Sequence, residues 1–68
     1  MELKKVDQSG ALVILSPDDL FAICNALNEV CNGLDVPEFS TRMGLEREQA
    51  LELLEKANRI YEKALQPT

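Results

Sequence analysis

The sequence predicts an α+β fold in which an N-terminal β-hairpin precedes three helices. Three observations carry this. Two strand-like runs, ELKKV (2–6) and ALVIL (11–15), flank the turn-forming stretch DQSG. A strong helix start, Ser16-Pro17-Asp18-Asp19, then opens a run whose apolar residues recur at helical spacing. After Gly44 a second, longer amphipathic stretch follows. The 68 residues are read as one domain, with the hairpin at 1–16 and the three-helix segment at 17–68.

The first strand is mixed in pattern, whereas ALVIL is apolar without alternation, as in a strand buried on both faces. One hairpin and a few helices cover only one of those faces. The surplus predicts a homodimer with Leu12, Val13 and Ile14 at its interface. In the first helix Ser16 caps, Pro17 suits the first helical position, and Asp18 and Asp19 favour the positive helix end. Leu20, Ile23, Cys24, Leu27, Val30 and Cys31 form its apolar stripe. Asn32-Gly33 is expected to stop it, with glycine supplying a left-handed cap. A short third element over 37–43 ends at Gly44. The last helix is expected from Glu46 to Leu65, with Ala50, Leu53, Leu54, Ala57, Tyr61, Ala64 and Leu65 inward and Ile60 at the edge. Glu52–Lys56 and Glu55–Arg59 are spaced as i, i+4 ion pairs.

A chain this short buries only about 60% of its unfolded surface, so its stability alone is marginal. Disulfides, a metal or a partner chain are the usual remedies. Cys24 and Cys31 lie seven apart in one expected helix, about 10 Å between Cα atoms, too far for a disulfide. They read as buried thiols of a reducing compartment. With no histidine in the chain, a metal site would need two thiolates plus carboxylates, an uncommon set. No metal and no cofactor are expected. MELKKVDQSG lacks the apolar core of a signal peptide and no apolar run approaches a membrane span. The expectation is a cytoplasmic chain without a membrane partner.

The stretch FSTRMGLEREQALELL (39–54) has the punctuation of a helix-turn-helix. A DNA reader needs arginine, lysine, asparagine or glutamine along the exposed face of its second helix. Here Arg47 and Gln49 stand among Glu46, Glu48, Glu52 and Glu55, and only Lys4, Lys5 and Arg42 are available for phosphates. With a net charge of −5, the sequence argues against duplex DNA as a ligand. Catalysis is not expected either. A cysteine nucleophile lacks its histidine base, Ser40 and Thr41 have no activating neighbour, and capping explains Asp18 and Asp19.

The acidic distribution carries more. Residues 17–35 hold Asp18, Asp19, Glu29 and Asp35 and no basic residue, whereas residues 36–68 are nearly balanced. Asn25, Asn28 and Glu29 lie opposite the apolar stripe, and Glu38 stands beside Phe39. A solvated helix face is the plain explanation. The functional one is an electronegative docking surface for a basic protein, made by Asp18, Asp19, Asn25, Asn28, Glu29, Asp35 and Glu38, with Phe39 as an apolar anchor.

Residues 25–54, through Asn28-Glu29-Val30-Cys31-Asn32-Gly33 and Phe39 to Gly44, resemble a segment of small bacterial proteins. Some of these are immunity proteins for secreted polymorphic toxins. The resemblance implies a small acidic protein that acts on another protein, and it assigns no contact residues. The expected function is therefore non-catalytic protein binding, in its sharpest form neutralisation of a basic toxin by occlusion. A helix-turn-helix transcriptional regulator is the alternative, and a structural or adaptor subunit is a third.

Overall fold

The computed structural model describes residues 1–66 and has the expected order, an antiparallel hairpin and then three helices. The last two residues of the 17–68 segment lie outside the described residues. Strand β1 (Glu2–Asp7) pairs with β2 (Gly10–Ile14), joined by Gln8 and Ser9. The turn is two residues long because the Ser9 N–H donates to the Asp7 carboxylate at 2.8 Å, so that Asp7 and Gly10 already pair.

The mixed pattern of β1 is resolved by a β-bulge. Leu3 pairs with Val13 and Lys5 with Leu12, so Lys4 is an extra residue between them. In a regular strand Leu3 and Val6 would point to opposite faces, since alternation has period two. The inserted residue resets the alternation. Leu3, Val6, Ala11 and Val13 therefore share one wholly apolar face. Glu2, Lys5 and Asp7 share the other with Leu12 and Ile14. The three residues expected at a dimer interface are thus split, Val13 on one face, Leu12 and Ile14 on the other.

Helix α1 (Pro17–Asn28) begins with a full capping box. The Asp19 N–H donates to the Ser16 hydroxyl at 3.1 Å, and the Ser16 N–H donates to the Asp19 carboxylate at 3.3 Å. Its exit differs from expectation. Gly33 is not left-handed. The helix widens instead into a π turn over Glu29–Gly33, closed by the Leu34 N–H donating to the Glu29 carbonyl at 2.7 Å. A Cβ at position 33 would lie 2.6 Å from the Glu29 carboxylate, the end of an exposed side chain that can swing aside. The left-handed glycine is Gly44, at φ +80°, which ends the short helix α2 (Phe39–Met43). Helix α3 (Arg47–Ala64) follows.

Helices α1 and α3 pack antiparallel, since Arg47 reaches Cys31 at one end and Phe21 meets Tyr61 at the other, ring centroids 5.6 Å apart. Leu20, Cys24, Cys31, Ala50, Leu54 and Ala57 are buried between them. Ala50 is fully buried, and Leu27, Val30, Phe39 and Leu45 pack around its cluster. The expected inward stripe of α3 is too wide. Leu53 is 47% exposed, and Ala64 and Leu65 are also exposed. A single neighbouring helix covers only a narrow stripe of α3, and α3, about 27 Å long, overhangs α1, about 18 Å. Of the two expected ion pairs, Glu55–Arg59 forms at 2.6 Å and Glu52–Lys56 does not. Among the described residues, no helix is long and apolar enough to cross a membrane.

Both thiols are free and only 6% exposed. Native protein should therefore react slowly with iodoacetamide, at a rate set by opening of the helix pair. Cys31→Ser places a hydroxyl in an apolar cluster and is expected to lower unfolding stability by about 1–3 kcal/mol, measured by urea titration. Rapid alkylation of both cysteines without unfolding would contradict this packing.

Candidate functional site

The residues expected to meet a partner fall into two groups. Asp18, Asn25, Asn28 and Glu29 are exposed on α1 and its π turn, separated by seven, three and one residues. A helical turn of about 100° per residue brings Asp18, Asn25 and Glu29 to one side of the helix, opposite Leu20, Cys24 and Cys31, while Asn28 stands at the edge of the buried stripe. The Asn32 amide donates to the Asn28 side-chain oxygen at 3.0 Å, which orders the end of this face. Asp35 and Glu38 are exposed in the link that follows. Among the described residues, Asp18, Glu29, Asp35 and Glu38 form no ion pair.

Asp19 and Phe39 belong to the second group, which serves the fold. Besides capping α1, the Asp19 carboxylate is paired with the Met1 ammonium, which ties the start of β1 to the start of α1. That ammonium foremost, with the Ser16 N–H next, holds the Asp19 carboxyl below its ordinary value. Phe39 is half-buried against the Cys31–Ala50–Leu54 cluster, and the Arg47 guanidinium lies 4.5 Å from its ring centroid.

Arg47 is the residue whose role the sequence does not reveal: there it is only a candidate base reader on an exposed helix face, and it packs inward instead. Its guanidinium donates to the Cys31 carbonyl at 2.5 Å while stacking on Phe39. Cys31 lies in the last turn of the first helix, where carbonyls have no partner within the helix. Arg47 supplies that partner. Gln49 is also engaged, accepting from the Glu46 N–H at 2.9 Å to cap α3. Gln49 itself stays exposed, and the exposed charged residues at the start of α3 are Glu46, Glu48 and Glu52, all acidic. Nothing local signals this arrangement, because the partners of Arg47 lie eight and sixteen residues away.

Glu38 was also unforeseen in its backbone. It is left-handed at φ 53° and ψ 48°, directly after Pro37 and before the first turn of α2. A non-glycine residue there stores roughly 1–3 kcal/mol of strain, held in place by the packing of Phe39 next to it. The same turn points the Glu38 backbone carbonyl at Arg42, whose N–H donates to it at 3.1 Å.

Two outcomes are expected from this geometry. Arg47→Ala removes a charge-assisted hydrogen bond and a cation–π contact, and should lower stability by about 2–3 kcal/mol in denaturant melts. Arg47→Lys should recover only part of that, since a compact ammonium does not reproduce the planar stack. For Asp19 the folded pKa is depressed, so its contribution is present above the unfolded value of about 3.9 and is lost as pH falls through the lower folded value. The stability gap between the parent and Asp19→Asn should therefore be widest near neutrality and narrow below about pH 4. A gap that is constant from neutral to acid pH would contradict the pairing.

Compared with protein-family models, with curated proteins and with solved structures, the chain matches none.

Proposed function

We propose that this chain is a non-catalytic protein-binding module that docks a basic protein on the outer face of α1. The carrying observation is the exposed set Asp18, Asn25, Asn28 and Glu29, continued by Asp35, in a segment with no lysine or arginine to offset its charge. Carboxylates held on one face of a rigid helix present a fixed negative field, which raises encounter rates with a basic surface by about 10–1,000-fold. The asparagines supply donors and acceptors without adding charge. Neutralisation of a basic toxin by covering its cleft is the sharpest form of this reading, and it accords with the resemblance of residues 25–54 to immunity proteins. The regulator reading loses support because both candidate base readers, Arg47 and Gln49, hold the fold together.

Affinity capture at low salt, run in parallel with parent protein and with Asp18→Lys/Glu29→Lys, tests this. A basic protein retained by the parent and lost on the variant is the expected result. Its association with the variant should be slowed about tenfold, with a flatter salt dependence and little change in dissociation. Retention of the same proteins by both forms would overturn the reading, and so would sequence-specific duplex binding at physiological salt.

A further inference from the structure

We infer that a second copy of this chain covers the apolar hairpin face made by Leu3, Val6, Ala11 and Val13, the same face of each copy meeting across a two-fold axis. The inference is independent of the docking face on α1, from which these residues are distinct.

The first support is the isolation of the hairpin. Every residue from Met1 to Ile14 is exposed, and Leu3 and Val6 are 61% and 65% so. A two-stranded hairpin by itself is marginal in water, and needs a cover for one face. Helices α1 and α3 pack on one another and leave that cover unsupplied within the chain. The bulge at Lys4 matters here, because it gathers onto one face apolar residues that regular alternation would have divided.

The second support is area. The chain exposes 5485 Å² at a mass of 7.6 kDa. A compact monomer of that mass exposes about 4,300 Å². The excess, about 1,200 Å², is spread over the whole chain, the flanks of α3 included, and leaves room for the roughly 800 Å² that each partner buries in a standard interface. The radius of gyration agrees, at 13.5 Å against about 11 Å for a compact chain of this length.

Charge selects the occupant. Two copies each bearing −5 repel through the 17–35 segment, where the uncompensated acid lies. The hairpin is a region where they can meet, since Glu2 and Asp7 are balanced by Lys4 and Lys5; Glu2, Lys5 and Asp7 lie on the other face, and Lys4 is paired with Glu2. An isologous contact between identical neutral faces also closes on itself, with no residual surface to propagate.

Light scattering of the parent at micromolar concentration should give twice 7.6 kDa. Val6→Glu, which puts a carboxylate at the centre of the face, should halve the mass and keep the helical circular dichroism. Leu12→Lys, the same kind of change on the opposite face, should stay dimeric, as should Asp18→Lys/Glu29→Lys. Backbone amides of β1 and β2 in the parent should exchange more slowly with deuterium as protein concentration rises, a readout that does not depend on any variant folding. A parent that stays monomeric into the high micromolar range, or hairpin exchange that does not change across the concentrations over which light scattering reports the passage from monomer to dimer, would overturn the inference. Dissociation of Leu12→Lys as readily as Val6→Glu would overturn the choice of face, and a monomer whose hairpin pairs only with a foreign strand would replace the second copy with that partner.

Discussion

One contact joins the parts of the helical body, the Arg47 guanidinium between the Cys31 carbonyl and the Phe39 ring. It ties the end of the π turn to α2 and to the first turn of α3, three segments that are far apart in sequence. The hydrogen bond is charge-assisted and half-buried, worth about 1.5–3 kcal/mol, and the stack adds roughly 0.5–2 kcal/mol. A domain of this size has a total stability on the order of 3–10 kcal/mol. A single side chain therefore carries a sizeable fraction of what keeps the helices together. The neighbouring strain at Glu38 persists because the ring that Arg47 stacks on is anchored in the core.

The rest of the body follows from how little there is to bury. Two helices in contact along one line enclose Leu20, Cys24, Cys31, Ala50, Leu54 and Ala57, and the small residues among them let the axes approach closely. The flanks of α3 are left uncovered, with Leu53 and Ile60 exposed on one side and Leu51 on the other. The hairpin extends from this body, held by the short Leu15-Ser16 connection and the Met1–Asp19 ion pair. Such an arrangement separates two chemistries in space. Neutral apolar surface lies on the hairpin, and acidic polar surface lies on α1 and the link after it.

That separation bears on how a small protein can be both stable and available to a partner. If the apolar face is closed by a second copy, the acidic faces of the two copies are left open and mutually repelled to opposite sides of the assembly. Charge would then act twice, keeping the helical segments of the copies apart and, on the function proposed above, steering a basic partner toward them.

The sequence by itself determined the element order, the start of α1 and the end of α2. These are local matters: a serine followed three residues later by aspartate makes a capping box, and a glycine with no Cβ accepts the left-handed backbone at 44. The exposed acids of α1 were legible for the same reason, since helical spacing alone puts Asp18, Asn25 and Glu29 opposite the apolar stripe. Tertiary structure decided the remainder. The bulge at Lys4 depends on the register of a facing strand, and the exposure of Leu53 on how many neighbours α3 has. Whether Asp19 is free or paired depends on where β1 begins in space. Arg47 is the clearest case: its sequence context of glutamates suggests solvent, and only packing brings a carbonyl sixteen residues earlier and a ring eight residues earlier within its reach. Periodicity reports which side of an element is apolar, but which groups meet across elements is set by long-range packing that no local pattern encodes.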